Sequence, residues 1–231
     1  MGVIRISVAA IVLLLLTSVA AFGHGDAGIY ATMAEAQVSN KDRTDRVEVE
    51  NLNQQATELA GKGQYEAAVA LAEKELAIAK QSSYPPTISG VGVNLCNLAA
   101  YCFKQEKYAQ AESLYRSVQK LYEEKVATGD PIIAIAINPA IASVVNNLGT
   151  IQERLGDLAQ AELYYKKSLE LNEKALGQNS PAVAAGLKNL AELYRFNHRD
   201  NEADELEKRA AAVEAVIAAK QAELQRSLVS Q

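Results

Sequence analysis

The clearest pattern along the chain is a pair of short amphipathic segments joined by a glycine, between residues 146 and 169. In the first segment Leu148, Ile151 and Leu155 are three and four residues apart, which places them on one face of a helix. Apolar and small residues recur at helical spacing in the second segment, at Leu158, Ala161, Tyr165, Ser168 and Leu169. Gly156 can adopt the left-handed conformation that ends a helix. The pattern predicts a helical hairpin that needs further copies to bury its apolar face.

Three further copies of this hairpin are present, so that the four copies cover about residues 49–82, 92–125, 139–175 and 184–212. The second segments begin in one column, at Tyr65, Tyr108, Leu158 and Asp200, and an alanine follows three residues later in each copy. The turn column holds Gly63, Glu106, Gly156 and His198. Repetition with such a period is typical of stacked helical arrays. The sequence therefore predicts an all-α fold of about four stacked hairpins.

The repeated pattern resembles the tetratricopeptide repeat, in which leucine, a small residue and a turn glycine precede alanine and an aromatic residue. Two features are similar to the kinesin-light-chain type of that repeat. One is the long period, and the other is the Asn-Leu-Ala or Asn-Leu-Gly that starts at Asn97, Asn147 and Asn189. Linkers with glycine followed by proline, at 129–131 and 177–181, also fit. The resemblance covers about residues 49–212 and implies a right-handed superhelical array. It is specific for fold and weak for function.

Two segments depart from the repeat. Residues 132–137 contain four isoleucines, and Asn138 followed by Pro139 predicts that the next helix starts near Pro139, which leaves the isoleucines in a linker. They either pack over the neighbouring hairpin or form an exposed contact for a partner or a second copy. The last helix continues through residues 213–229 without glycine or proline. It either caps the open end of the array or mediates coiled-coil self-association.

The N-terminal 23 residues have the pattern of a secretory signal peptide. Arg5 precedes an apolar run over residues 6–21, and small residues predict cleavage after Ala20, Ala21 or Gly23. Because the run is short for a membrane span, cleavage is favoured over an uncleaved membrane anchor. The pattern predicts a periplasmic or secreted protein, with residues 24–48 as a flexible linker.

Composition and the lack of known motifs argue against nucleic-acid binding, metal binding and the common catalytic sites. The net charge is -5 with no basic tract, which disfavours nucleic-acid binding. No His, Cys and Asp cluster has metal-ligand spacing, and phosphate loops and nucleophile elbows are absent from the sequence. Cys96 and Cys102 are predicted to be free and buried, because six residues of helix separate them by about 9 Å, beyond disulfide reach. The sequence predicts a protein that is not an enzyme and has no cofactor.

The surface that remains for function is the concave face, which the first helices of such an array line. Its polar residues form the predicted peptide-binding site: Asn97, Asn146, Asn147, Arg154, Lys188, Asn189 and Arg195. Carboxamides donate and accept hydrogen bonds, so a ladder of them can hold a peptide backbone or tie adjacent helices together. In the kinesin-light-chain type, asparagines at this position contact bound peptide, so the resemblance implies the first role, and both roles stay open.

Two hypotheses follow. The first is an exported adaptor that binds a protein or peptide on its concave face, and its cations predict a ligand with carboxylates. The second is a structural protein that self-assembles through residues 132–137 or through the C-terminal helix.

Overall fold

The computed structural model describes residues 39–229, and it describes their side chains except at 131–136 and 228–229. This part of the chain forms eight α-helices and no strand. The helices are α1 (Asn40–Gly61), α2 (Tyr65–Gln81), α3 (Pro85–Lys104), α4 (Tyr108–Val126), α5 (Pro131–Leu155), α6 (Leu158–Leu176), α7 (Pro181–Phe196) and α8 (Asp200–Val229). From α2 onward each helix packs against the next, and α2 also contacts α4 as α3 contacts α5. The prediction of an all-α array of stacked hairpins is confirmed.

The chain divides into two compact units between Val47 and Glu48. Of the first unit, the structure describes the start of α1. The backbone N–H of Asp42 donates to Ser39 Oγ at 3.1 Å, which caps the helix, and Lys41 pairs with Asp45 one turn later at 2.9 Å. The prediction of a flexible linker over 24–48 is therefore wrong for residues 40–48, which are helical. The predicted signal peptide and residues 24–38 lie outside the described residues.

In the second unit, four alanines mark the register of the hairpins. Ala68, Ala111, Ala161 and Ala203 stand three residues after the start of α2, α4, α6 and α8, and all four are completely buried. Gly149 shows why small residues are needed between the paired helices, because a Cβ at this position would lie 2.8 Å from two ring atoms of Tyr165. The predicted alignment of the repeats is confirmed.

The turn within each hairpin uses the left-handed backbone conformation at one residue. The residues and their φ angles are Gly63 (75°), Glu106 (60°), Gly156 (84°) and His198 (55°), which is the predicted turn column. Glycine adopts this conformation without a steric penalty, whereas other L-residues crowd their Cβ against the backbone. Two of the four turns are therefore strained.

Replacing Glu106 or His198 by glycine should relieve this strain and stabilise the protein by about 0.5–1 kcal/mol. Gly156→Ala should destabilise the protein by about 1 kcal/mol, because alanine is strained at this positive φ. Urea unfolding of the purified variants measures both changes. Gly61→Ala is the matched control, because Gly61 has no positive φ and open space around its Cβ position. A Gly156→Ala variant as stable as Gly61→Ala would contradict the explanation.

Helix α5 begins earlier than the sequence pattern predicts. It starts at Pro131 and includes Pro139 in its interior, so the predictions of a linker over 132–137 and of a start near Pro139 are wrong. Pro131 occupies the position at which Pro181 begins α7, where the missing N–H of proline leaves no hydrogen bond unmade. An internal proline costs roughly 3 kcal/mol. Burial of Ile137 and Ile141, worth roughly 2 kcal/mol each, offsets this cost.

Only one of the four isoleucines, Ile137, has a described side chain. It is completely buried and joins the core cluster that runs from Val49 to Ile151. For this residue, packing against neighbouring helices is the correct interpretation.

The two halves of α8 differ in their packing. Ala203, Ala210 and Val213 are buried in two smaller clusters with residues of α6 and α7. Residues 218–227 are exposed throughout. The first half of α8 thus covers α7, as the prediction of a capping helix requires. Among residues 39–229, no helix combines the length and apolar character that a membrane span needs.

Candidate functional site

Three adjacent cavities follow the first helices of the last three hairpins, and we call them together the groove. The first, of about 280 Å³, lies between α3, α4 and α5 and is lined by Ala100, Phe103, Lys104, Tyr115, Asn147 and Thr150. The third, of about 410 Å³, lies between α7 and α8 and is lined by Pro181, Ala184, Ala185, Lys188, Glu214, Ile217, Ala218 and Gln221. The second cavity lies between them, sharing Asn147 with the first and Ala185 with the third.

This second cavity, which we call the carboxamide pocket, has a volume of about 200 Å³. It is lined by Ser143, Asn146 and Asn147 from α5, Ser168 and Asn172 from α6, and Ala182, Ala185, Gly186 and Asn189 from α7. Asn189 Nδ2 donates to Asn146 Oδ1 at 2.8 Å and links the two first helices. Ser168 Oγ donates to the Ala142 carbonyl at 2.8 Å. Six of the nine lining residues carry polar side chains, and none of these can ionise near neutral pH.

Asn147 connects the carboxamide pocket to the first cavity. Burial raises the pKa of Tyr115 above its ordinary value, and a side-chain hydrogen bond with Asn147 opposes this shift only in part. The Tyr115 phenol therefore remains protonated at neutral pH. The junction of the two cavities thus presents neutral hydrogen-bonding groups.

The predicted cations differ in how much of their charge is neutralised. Lys188 Nζ lies 2.5 Å from Glu214, at the edge of the third cavity. Arg195 is paired with Asp204, with Glu207 at 2.9 Å and with Asp200 at 3.5 Å. Hydrogen bonds to Glu207 and Asp204 raise the pKa of Arg195 further above its ordinary value. Arg154 is exposed, and no described carboxylate pairs with it.

The structure brings four of the seven predicted site residues to the groove. Asn146, Asn147 and Asn189 line the carboxamide pocket, and Lys188 lines the third cavity. Asn97, Arg154 and Arg195 are exposed and do not line these cavities. The interpretation that asparagines tie adjacent helices together holds for Asn146 and Asn189. Contact with a peptide stays a prediction for all seven.

Two functional candidates from a second helix, Ser168 and Asn172, were missed by the sequence prediction, which assigned the groove to first helices alone. A signal for them exists, because Ser168 and Asn172 continue the inward-facing stripe of Ala161 and Tyr165 at helical spacing. Polar residues on an otherwise apolar, buried stripe need hydrogen-bond partners, and this need marks them as candidates for a binding site.

The carboxamide pocket offers hydrogen bonds rather than acid–base chemistry. The carboxamide pocket has no titratable lining group that could act as a general acid or base. No cluster of three His, Cys, Asp or Glu side chains in residues 39–229 could hold a metal ion. Cys96 and Cys102 are both free, as predicted, although Cys96 is only half-buried.

Known proteins share both the repeat and the fold. Residues 140–213 match the tetratricopeptide-repeat family model. No curated protein matches the chain significantly. The solved structure of kinesin-light-chain TPR-like repeats from Podosopora anserina is 18% identical, covers 80% of this chain and 82% of its own, and superposes with a TM-score of 0.51.

A second solved structure, BtubC (BKLC) from P. vanneervenii, is 22% identical, covers 76% of this chain and 74% of its own, and has a TM-score of 0.52. At these identities the likeness concerns the fold. Residues 140–213 thus carry the tetratricopeptide repeat, and the chain has a fold similar to that of kinesin-light-chain-like repeat arrays.

Proposed function

We propose that this protein is an exported, non-enzymatic interaction module that binds an extended segment of a partner protein along the groove. The observation that carries the proposal is that the three cavities adjoin in a row: Asn147 lines both the first and the second, and Ala185 lines both the second and the third. Tetratricopeptide repeats generally serve as protein-binding scaffolds, which supports the general class. The sequence pattern of residues 1–23 supports export to the periplasm or the cell exterior.

An extended segment suits the groove because its backbone N–H and C=O groups are unpaired. Groups that both donate and accept, such as those of Asn146, Asn147 and Asn189, can bind such a backbone without demanding one side-chain sequence. Carboxylates in the partner would be drawn to Arg154, and to Lys104 in the first cavity, more than to Lys188 or Arg195, since the last two are already ion-paired. An acidic partner segment should therefore place its charge near the ends of α3 and α5.

Site-specific photocrosslinking in the native cell tests the proposal. A photoreactive amino acid at Ala185, between the second and third cavities, should crosslink a partner in cell-envelope fractions, and mass spectrometry would identify it. The same group at Ala159, exposed on α6 and outside the groove lining, is the positional control.

The double variant Asn147→Ala with Lys188→Ala should abolish this crosslink, because it removes contacts on both sides of the crosslinking position. Lys208→Ala is a matched control, since Lys208 is an exposed lysine that is also ion-paired within the chain, to Glu205 at 3.0 Å. An undiminished crosslink in the double variant, or equal crosslinking from Ala159, would refute groove binding. A partner found only in cytoplasmic fractions would refute export.

Self-assembly is the second candidate, and the exposed end of α8 favours it. Residues 218–227 are exposed, and Leu224 has 62% of its surface accessible. A helix with an exposed apolar residue beyond the packed array could pair with a second copy. Light scattering would separate the candidates, because self-assembly requires a mass that rises with protein concentration.

A further inference from the structure

One side chain in the carboxamide pocket is buried without a hydrogen-bond partner. Asn172 on α6 is 8% exposed and lines the pocket. Its carboxamide makes no hydrogen bond within the part of the chain that the structure describes. Its polar atoms face the open pocket and are not sealed in the core. Water can therefore hydrogen-bond to them, and a ligand group that makes the same hydrogen bonds can replace this water.

The surrounding carboxamides also keep unused hydrogen-bonding capacity. Asn146 accepts through Oδ1 from Asn189 Nδ2, which leaves Asn146 Nδ2 as a donor and Asn189 Oδ1 as an acceptor. Together with Asn172, the pocket offers donors and acceptors on three different helices. It offers no charge, because all its polar lining residues are Asn or Ser.

We propose, on the basis of the proposed groove function, that the carboxamide pocket binds the side-chain carboxamide of a glutamine or asparagine in the partner segment. A primary carboxamide is neutral, planar and both donor and acceptor, so it complements Asn172 and the Asn146–Asn189 pair at once. A carboxylate or ammonium group would lose its hydration without meeting an opposite charge. An apolar side chain would leave the Asn172 carboxamide unpaired.

The size of the pocket agrees with a single side chain. Its volume of about 200 Å³ is below the roughly 300–1,000 Å³ of sites that enclose whole small molecules. The pocket shares Asn147 with the first cavity and Ala185 with the third, so the backbone of a bound segment would extend past these two residues. The pocket would thus select one residue of a segment that the rest of the groove binds.

Nuclear magnetic resonance of the ¹⁵N-labelled protein tests this assignment with small probes. N-acetylglutamine N-methylamide should shift the side-chain NH₂ signals of Asn172, which are identified by their absence from the Asn172→Leu variant. The glutamate and norleucine analogues should bind at least about tenfold more weakly, because each leaves a hydrogen-bonding group unpaired or a charge desolvated. The asparagine analogue shows which of the two carboxamide lengths is preferred.

Asn172→Leu should abolish the preference for the glutamine probe while keeping thermal stability, since the Asn172 carboxamide makes no hydrogen bond within the described chain and leucine has a similar volume. Asn201→Leu, at an exposed asparagine of α8, is the matched control and should keep the preference. Equal shifts with all the probes, or no shift at Asn172, would overturn the proposal. If the probes show no selectivity but a partner still crosslinks at Ala185, groove binding stands and only the pocket assignment is wrong. If the glutamine probe binds selectively but no partner crosslinks, only the proposed groove function is wrong.

Discussion

Gly92→Ala is expected to destabilise the protein by about 3 kcal/mol, the upper end of the usual cost of overpacking a core. A Cβ at position 92 of α3 would lie 1.8 Å from the hydroxyl oxygen of Tyr122 and 2.3 Å from its Cζ. Tyr122 on α4 is only 1% exposed, so its ring is enclosed in the core and cannot swing out into solvent. The two helices would have to separate. Urea unfolding of the variant measures the loss.

Gly90→Ala is the matched control for this prediction. Gly90 is in the same helix, two residues earlier, and no atom lies within 4 Å of its Cβ position. Alanine there should stabilise the helix by about 0.5–1 kcal/mol, because glycine loses more backbone freedom on folding. Adding Tyr122→Leu to Gly92→Ala should restore part of the loss, since it removes the clashing ring. Equal stability of the two alanine variants would show that Gly92 is not a packing constraint.

Glu75→Gln should remove a pH dependence of stability that amounts to roughly 3 kcal/mol. Glu75 in α2 is 1% exposed, and its Oε2 accepts a hydrogen bond from Asn94 Nδ2 at 2.8 Å. Burial raises the pKa of Glu75 from 4.5 to about 7, and the Asn94 hydrogen bond offsets this only in part. Glutamine can accept the same hydrogen bond without a charge to desolvate.

The raised pKa fixes the sign of the effect. Between pH 4.5 and about 7 the folded protein holds a proton on Glu75 that the unfolded chain releases. The stabilisation is therefore full below the unfolded pKa and is lost as pH rises through the folded pKa. Wild-type protein should thus be less stable at about pH 8 than at about pH 5 by this contribution, and Glu75→Gln should remove the difference.

Urea unfolding at the two pH values measures the difference. Glu73→Gln is the control, since Glu73 is an exposed carboxyl on the same helix. A Glu75→Gln variant whose stability falls with pH as steeply as that of the wild type would contradict the assignment.

Local features of the fold could be predicted from the sequence because they depend on residues close together in the chain. Spacing of apolar and small residues predicted the buried alanines such as Ala111, and the turn column located the left-handed residues, including Glu106, which is not glycine. The start of α5 was missed because Asn138 and Pro139 form a valid local helix start. The helix nevertheless continues through Pro139, and this brings Ile137 into the core, a contact that no local pattern reveals.

The site was predictable in part. The sequence alone determined that first-helix asparagines recur in register, since helical periodicity places Asn97, Asn147 and Asn189 on equivalent faces. Tertiary structure decided which of them meet: Asn189 donates to Asn146, one residue before the expected Asn147. It also decided that Glu214 neutralises Lys188, and that Asn172 from a second helix completes the pocket. These contacts join helices tens of residues apart, and no local pattern encodes the packing distances that determine them.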